Sequence, residues 1–297
     1  MNQPPDLPPL REVIRQHKLT TRKSLGQNFI LDLNITERIA RAADICSNDT
    51  VLEVGPGPGG LTRALLERGA QHIVAIERDS RCLPALEEIA MAFPGRLTFI
   101  EGDALTMGLA EAAPLLESAK SKSAKLAKPK PSKIVSNLPY NIATPLLTRW
   151  LLSQHWPPWW SSLTLMLQRE VAKRITAQPG TRTYGRLSVI SQWRTHPRVI
   201  FNVNPQAFTP PPAVTSTVVH FEPIAYPFDV PSDALERVTA VAFGQRRKML
   251  RNSLKTLTKD LETLLDDSGL DSSYRAENLT PEDFCHLTRA LITQQGG

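Results

Sequence analysis

The sequence has little that would mark a secreted, disulfide-linked or metal-bound protein. Its 297 residues include three cysteines, whose odd number, wide spacing and lack of a CxxC pair argue against a disulfide scaffold or a zinc site. None of the six histidines lies at metal-ligand spacing. No apolar run approaches the roughly 20 residues of a membrane span, and Met1–Leu10 shows no basic-then-apolar signal pattern. We therefore expect a cytoplasmic protein with no metal and no membrane partner.

A large excess of one charge is also missing, but the charge is unevenly placed. With 41% hydrophobic and 22% charged residues, the chain has the composition of a globular protein rather than a disordered one. The formal net charge is +6, yet residues 119–133 and 245–259 each hold six basic residues and no acid. The remaining chain has 23 basic against 29 acidic residues. It is acidic, and the two basic segments are the candidates for contact with a polyanion.

Strands alternate with helices in the first half of the chain, which predicts a doubly wound, mostly parallel α/β sheet. The predicted strands are 50–54, 72–76, 97–100 and 133–135, with helices at 32–43 and 61–67. After about Pro231 the pattern becomes helical, with one helix from a Ser232 cap through Leu257, another at 260–268 and a last one capped by Thr280. We place a flexible tail at 1–17, the main domain at 18–225 with a solvated lysine-rich insertion at 119–133, and a small all-α domain at 226–297.

Four polar or glycine-rich features follow four consecutive predicted strands, at Gly55–Gly60, Glu77, Asp103 and Asn137. In parallel α/β sheets, ligands bind at the carboxyl ends of the strands. The four features are therefore expected to line one ligand site.

The glycine-rich turn fits two cofactors. Gly55, Gly57 and Gly60 match the dinucleotide GxGxxG spacing, and Gly55, Gly57 and Gly59 match the tighter GxGxG of methyltransferases. Glycines let the backbone approach a ligand closely in both cases. Glu53 would place negative charge near the loop, which suits the ammonium group of a methionine moiety better than a pyrophosphate.

Two acids after the later strands can serve the nucleoside part of either cofactor. Glu77 can accept both ribose hydroxyls, although a surface acid is its plainer interpretation. Asp103 can accept from an adenine amino group, although Gly-Asp is also common in turns.

The stretch Asn137-Leu138-Pro139-Tyr140 carries the most specific chemistry. The Asn137 amide oxygen and the Leu138 carbonyl can each accept one hydrogen of a planar amino group, which directs the nitrogen lone pair towards a methyl donor. Tyr140 can stack on the base that bears this amino group. Phe208, on a proline-rich frame, can close the other face of the base. The alternatives are a proline-tyrosine turn over the sheet and a rigid loop with a buried phenylalanine.

The basic segment 245–259 is interpreted as a basic helix face that neutralises RNA phosphates, through Arg246, Arg247, Lys248 and Arg251. A solvated helix face is the alternative. The 119–133 lysines favour a solubilising loop. The tryptophans at 156, 159 and 160 favour core packing over base stacking.

Taken together, these motifs resemble the ribosomal RNA adenine N6,N6-dimethyltransferases, the KsgA (RsmA) family, which is related to the erythromycin-resistance methylases. The resemblance runs from about Lys18 to the end of the chain, and its matching motifs are 24–30, 53–57, Glu77, Asp103, 137–140, 208–212 and 245–252. Two features depart from the family: the insertion at 119–133 is longer than expected, and Ile30 stands where leucine is usual.

The resemblance implies a Rossmann-like class I methyltransferase domain that uses S-adenosylmethionine. It implies two methyl transfers to N6 of each of two adjacent adenosines in the 3′-terminal hairpin loop of small-subunit ribosomal RNA, by a monomer acting on the pre-30S particle. The expected catalytic set is Asn137, Leu138, Pro139, Tyr140 and Phe208. The expected cofactor set is Gln27, Asn28, Ile30, Glu53, Gly55, Gly57, Glu77, Asp103, Ala104 and Asn137.

Other classes of function stay open at this point. A nicotinamide-dependent dehydrogenase would satisfy GxGxxG but would leave Asn-Leu-Pro-Tyr unexplained. A catalytically silent ribosome-assembly or nucleic-acid-binding protein would bind particles without turnover. A DNA adenine or protein glutamine methyltransferase is disfavoured, because those enzymes usually place Pro-Pro-Tyr after the polar residue and Leu138 breaks that pattern.

Overall fold

A seven-stranded sheet is the centre of the fold, in the order β4-β3-β2-β5-β6-β9-β7. The computed structural model describes residues 7–22, 25–107, 132–225 and 227–296. Within them the strands are Phe29–Ile30 (β1), Thr50–Val54 (β2), His72–Glu77 (β3), Leu97–Glu101 (β4), Ser132–Asn137 (β5), Trp160–Gln168 (β6), Thr195–Val203 (β7), Phe208–Thr209 (β8) and Ser216–Pro223 (β9).

The pairing of these strands agrees with a doubly wound sheet. Neighbours from β4 to β6 are parallel, and β9 pairs antiparallel with β6. β1 and β8 form a separate antiparallel pair. The four predicted strands are confirmed. The residues of β2 and most of those of β3 are buried, as suits the interior of a parallel sheet, whereas the edge strand β4 is only partly buried.

Along the chain, the helices of the described residues precede, separate or follow the strands. They are Leu10–Gln16 (α1), Leu33–Ala42 (α2), Gly60–Glu67 (α3), Leu83–Ala92 (α4), Tyr140–Leu151 (α5), Arg169–Ile175 (α6), Arg186–Arg194 (α7), Ser232–Gly244 (α8), Leu250–Ser253 (α9), Leu261–Asp267 (α10) and Pro281–Gly296 (α11). The predicted Thr280 cap is confirmed: its hydroxyl accepts from the Asp283 amide at 3.1 Å.

The chain divides into two compact units. The first contains residues 1–146, 159–169 and 199–221, and the second contains 147–158, 170–198 and 222–297. The second unit therefore includes two segments that come before the predicted all-α region. The predicted boundary at 225/226 stays a prediction. The predicted insertion at 119–133 lies outside the described residues except for its last two positions.

The prediction that residues 1–17 form a flexible tail is wrong for α1. Leu10 and Val13 are buried at 3% and 0% exposure, and His17 lies 2.7 Å from the Glu88 carboxylate. The prolines that suggested a tail stop at Pro9, which is the N-cap of α1. Apolar contacts hold the helix in the first unit, since an isolated helix of two turns is not stable in water.

The prediction of one helix from Ser232 to Leu257 is also wrong. α8 begins at Ser232, with Pro231 as its N-cap, and ends at Gly244. Met249 forms an antiparallel bridge with Arg275, and the Leu250 amide donates to the Tyr274 carbonyl at 2.7 Å. Backbone groups that would continue the helix thus pair with a distant segment. The basic residues of 245–259 consequently do not share one helix face.

A buried arginine organises part of the second unit. Arg194 is 6% exposed, and its Nη1 donates to the Leu151 carbonyl at 3.0 Å and to the Ser153 carbonyl. Its guanidinium carbon lies 3.9 Å from the ring centre of Trp193 and 4.8 Å from that of Trp156. Burial lowers the pKa of Arg194 to about 10, so the group stays charged at neutral pH. Trp156 serves packing here, as predicted.

Replacing Arg194 by methionine should lower the free energy of unfolding by about 3 kcal/mol, because two buried carbonyls lose a charged donor and the tryptophans lose a cation. Chemical denaturation monitored by circular dichroism would measure it. Arg198→Met is the matched control, because that arginine forms an exposed ion pair with Glu222 and should change stability by roughly 0.5 kcal/mol or less. Equal losses in the two variants would contradict the role given to Arg194.

No helix within the part of the chain that the structure describes is long and apolar enough to cross a membrane.

Candidate functional site: two adjoining clefts at the strand ends

The glycine-rich turn after β2 needs its glycines for conformation and for space. Gly57 and Gly59 have φ values of +55° and +85°, where other residues are strained. A Cβ on Gly59 would lie 2.2 Å from Ile89 Cδ1, and one on Gly57 would lie 3.2 Å from the Phe29 ring. Position 60 is also crowded, since a Cβ there would lie 3.0 Å from Leu10 Cδ2, so these contacts fit both GxGxG and GxGxxG. The turn leads directly into α3.

Glu53 lies below this turn and is 1% exposed. Thr62 Oγ1 donates to its Oε2 at 2.7 Å. Burial raises the pKa of Glu53 to about 8, and the neighbouring Glu77 adds to the rise, against the lowering effect of the Thr62 bond. Without a cationic partner, the Glu53 side chain is therefore largely protonated at neutral pH. It would carry the negative charge that the sequence analysis expects only when a cationic group is bound beside it.

Glu77 ends β3 with both carboxylate oxygens held by backbone amides. Oε2 accepts from Gly57 at 2.8 Å, and Oε1 accepts from Asp79 at 2.7 Å. Burial raises the pKa of Glu77, while these amide bonds act to lower it. Each oxygen has a second lone pair, so the side chain is fixed and can still accept from a ligand.

Asp103 follows β4 and is already paired in the protein. One carboxylate oxygen accepts from the Leu105 amide at 2.9 Å, and the other lies 3.0 Å from Arg78 Nη1. Glu77, Arg78, Asp103 and Ala104 line one open cleft of about 460 Å³, together with Gln27 and Gly55. We name it the second cleft.

The Asn-Leu-Pro-Tyr stretch forms the corner between β5 and α5. Asn137 Nδ2 donates to the Asn28 carbonyl at 3.4 Å, and the Ser136 hydroxyl accepts from the Val54 amide at 2.8 Å, which ties β5 to β2. Tyr140 Oη lies 2.6 Å from the hydroxyl of Ser216 at the start of β9. The tyrosine ring is thereby held at its far end.

Phe208 reaches this corner through the small sheet. It lies opposite Ile30 in the β1–β8 pair and is 3% exposed. A first cleft of about 620 Å³ brings together most of the predicted site residues: Gln27, Asn28, Ile30, Glu53, Gly55, Gly57, Asn137, Leu138, Pro139, Tyr140 and Phe208.

The two clefts adjoin, since Gln27, Gly55 and Pro139 line both. The structure thus gathers every predicted catalytic and cofactor residue in the first unit. Three contributors were missed by the sequence: Thr62, Asp79 and Ser216. Asp79 is a second acid two residues after Glu77, and that proximity to the strand end is a signal in the sequence. No local pattern marks Thr62 or Ser216 as part of the site.

The four predicted RNA-binding residues lie in the second unit, and they differ in their surroundings. Arg246 Nε donates to Glu277 Oε2 at 2.7 Å and its Nη2 donates to the Thr181 carbonyl at 3.0 Å. Arg247, Lys248 and Arg251 are exposed. Arg246 therefore braces the fold of its unit, which separates it from the other three.

A mostly parallel sheet with a GxGxG turn, an acid at the next strand end and an Asn-Leu-Pro-Tyr corner defines a Rossmann-like class I methyltransferase. Residues 18–293 match the family model described as ribosomal RNA adenine dimethylase. The chain belongs to the ribosomal RNA adenine dimethylase family. Nothing in this match supports a dehydrogenase.

Relatives and solved structures agree with the family. The chain is 56% identical over 287 residues to the ribosomal RNA small subunit methyltransferase A of Cereibacter sphaeroides, covering 96% of this chain and 97% of that protein. It is 54% identical over 292 residues to the protein of that name in Azorhizobium caulinodans, covering 98% and 96%. A dimethyladenosine transferase from Plasmodium falciparum has a TM-score of 0.68 at 26% identity, covering 86% of this chain and 94% of that one. The 23S rRNA methyltransferase ErmE has a TM-score of 0.63 at 25% identity, covering 89% and 100%.

Proposed function

We propose that this protein transfers methyl groups from S-adenosylmethionine to N6 of two adjacent adenosines in the 3′-terminal hairpin loop of small-subunit ribosomal RNA. It acts as a cytoplasmic monomer on the pre-30S particle and leaves N6-dimethyladenosines. The observation that carries the proposal is the first cleft, where the Asn-Leu-Pro-Tyr corner, Phe208 and the glycine-rich turn meet. The 56% identical relative named for small-subunit ribosomal RNA supports the choice of substrate.

The residues of the two clefts fit S-adenosylmethionine. Gly55 and Gly57 line the first cleft with backbone alone, which lets a ligand approach closely. Glu77, fixed by two amides, can accept from ribose hydroxyls, and Asp103 and Ala104 can border the adenine in the second cleft. Glu53, Asn28 and Ile30 in the first cleft suit the methionine end, with Gln27 and Gly55 between the clefts. When bound, the cofactor supplies an electrophilic methyl group.

The corner residues orient the target amino group. Because Asn137 donates through Nδ2 to the Asn28 carbonyl, its Oδ1 is the acceptor for one amino hydrogen, and the Leu138 carbonyl is the acceptor for the other. Pro139 stiffens the corner. Tyr140, held by Ser216, and Phe208 would enclose the two faces of an adenine taken out of its stack. The target nitrogen becomes acidic only after it receives the methyl group, so the site needs no strong base.

The proposed activity is tested with purified protein, S-adenosylmethionine and pre-30S particles from a strain that lacks the gene. Mass spectrometry of the digested ribosomal RNA should show dimethylation of two adjacent adenosines in the 3′-terminal hairpin loop. Particle binding without new methylated nucleosides would instead support the catalytically silent assembly protein. Methylation at another site would change the substrate and keep the chemistry.

RNA docking is expected to use Arg247, Lys248 and Arg251 more than Arg246. Replacing Arg247 and Lys248 together by glutamine should weaken particle binding about tenfold, and should reduce the slope of log K against log salt by about 1.4, because each lost phosphate contact removes about 0.7. Filter binding at several salt concentrations would measure both quantities.

Arg246→Gln is the matched control for this prediction. It should lower thermal stability through the loss of the Glu277 and Thr181 bonds, and it should leave the salt slope unchanged. Equal slopes for the wild type and the Arg247/Lys248 variant would show that this surface does not meet phosphates.

A further inference from the structure

Asp79 is a buried carboxylate beyond the end of β3 that lines neither cleft. Its side chain is 1% exposed. It accepts from Arg81 Nε at 2.8 Å and Nη2 at 2.6 Å, and from Gln27 Nε2 at 2.9 Å. A buried carboxylate needs such donors, because desolvation otherwise disfavours its charge. The Arg81 bonds lower the pKa of Asp79 to about 2, so the pair stays ionised at neutral pH.

The donors to Asp79 are themselves tied to one stretch of chain, residues 20–22 and 25–28, which we name the N-terminal wall. Arg81 Nη2 also donates to the Thr20 carbonyl at 3.0 Å. Gln27 Oε1 accepts from the Arg22 amide at 2.9 Å. Both ends of the Gln27 amide are therefore used within the protein. The sequence predicted a cofactor contact for this residue, and the structure adds a bracing contact.

The N-terminal wall forms one side of both clefts. Leu25 lines the second cleft, Asn28 lines the first, and Gln27 lines both. On its other side, Asp79 is bonded through its amide to Glu77, the proposed ribose acceptor. One ion pair thus connects the wall to the strand end that would hold the nucleoside.

We propose that Asp79 and Arg81 are positioning residues that hold the N-terminal wall closed against the cofactor, so that they set the affinity for S-adenosylmethionine without touching it. The inference rests on the proposed function. If the pair is lost, the closed wall becomes a minor population, and the apparent affinity falls in proportion to the fraction of molecules that remain closed. Excess cofactor restores the closed state, so turnover at saturation is retained.

The central test is Arg81→Met in the full chain. The dissociation constant for S-adenosylmethionine, measured by calorimetry, and the KM for it should both rise about tenfold, while kcat at saturating cofactor changes less than about twofold. Amide hydrogen exchange over residues 25–28 should become faster without cofactor and return towards the wild-type rate with it. A merely structural loss would lower kcat or the melting temperature without this split.

Two further variants keep the test informative. Gln27→Leu combined with Arg81→Met should show a non-additive loss of affinity, because both side chains act through Asp79. Arg81→Lys keeps a cation beside Asp79 and should recover part of the affinity, and it serves if the methionine variant does not fold. Arg41→Met is the matched control: it removes a 2.6 Å ion pair with Glu37 on the exposed face of α2 and should leave KM unchanged.

The outcomes separate this inference from the proposed function. Wild-type protein that binds no S-adenosylmethionine would end the proposed function itself. Wild-type binding with an unchanged dissociation constant in folded Arg81→Met would overturn the positioning role alone. A loss of kcat at unchanged KM would also overturn it, because that result would place Arg81 in the transfer step.

Discussion

Asn137→Ala should lower methyl transfer to pre-30S particles about a thousandfold at saturating substrates, the scale expected when a preorganised orienting group is removed from a reacting centre. The cofactor should still bind within about tenfold of the wild-type affinity, because the only hydrogen bond that the Asn137 amide makes among the described residues is the 3.4 Å contact with the Asn28 carbonyl. Single-turnover formation of methyladenosines and calorimetry would measure the two effects separately.

Asn202→Ala is the control for this variant. Asn202 lies in the same unit, lines neither cleft, and accepts from the Thr217 hydroxyl at 2.7 Å, so its loss should change transfer less than about twofold. Asn137→Asp keeps an acceptor oxygen and should retain more activity than the alanine variant. If Asn137→Ala forms dimethyladenosine as fast as the wild type, the proposal that Asn137 orients the target amino group is wrong.

S-adenosylmethionine should bind about tenfold more tightly for each pH unit between pH 6 and 7.5, and binding should release one proton. The physical reason is Glu53: burial raises its pKa to about 8, and an ammonium group beside it would draw the proton off. Above this range the amino group of the ligand begins to lose its own proton. Calorimetry in buffers of different ionisation enthalpy would count the protons.

The same group sets a pH dependence of stability. The pKa of Glu53 is higher in the folded protein than its ordinary value of 4.5, so between pH 4.5 and about 8 the folded chain holds a proton that the unfolded chain has lost. The free energy of unfolding should therefore fall as pH rises through that window, by up to about 1.4 kcal/mol per unit. Glu53→Gln should remove the Glu53 part of this slope and the proton release together.

Two comparisons isolate Glu53 in these experiments. Methylthioadenosine lacks the amino acid part of the cofactor and should bind without the proton release. Glu77 also has a raised pKa and lies near Glu53, but its contribution would persist in Glu53→Gln. Cofactor affinity independent of pH in the wild type would show that no ammonium group meets Glu53.

The strand-end features were predictable because their signals are local. Each buried strand of five or six residues reads as an apolar run, and the polar residue after it marks where the strand stops. Parallel pairing then brings the carboxyl ends of the strands to one edge of the sheet, so the shared location of these residues follows from the strand positions alone. Glu77, Asp103 and Asn137 therefore lie at the site as the sequence predicts. The fold class followed from the same alternation.

The corrections arose where a partner distant in the chain decides the local structure. Residues 245–249 look helical, yet α8 ends at Gly244 and Met249 pairs with the distant Arg275. In the sequence, Arg246 is one basic residue of a basic segment, yet in the structure its guanidinium is paired with Glu277. Helix propensity is a weak preference that tertiary pairing overrides.

The sequence by itself determined the class of fold, the positions along the chain of the strands that carry the site, and the chemistry of the groups at their ends. Only the tertiary structure decided how those groups are tuned and held: burial raises the pKa of Glu53, two amides fix Glu77, Ser216 holds Tyr140, and Asp79 and Arg81 tie down the N-terminal wall. Residue type and periodicity are properties of neighbouring positions. Burial depends on the whole fold, and several of the hydrogen bonds at the site join distant positions: Gly57 and Glu77 are 20 residues apart, and Tyr140 and Ser216 are 76 apart. Such contacts exist only once the chain has folded.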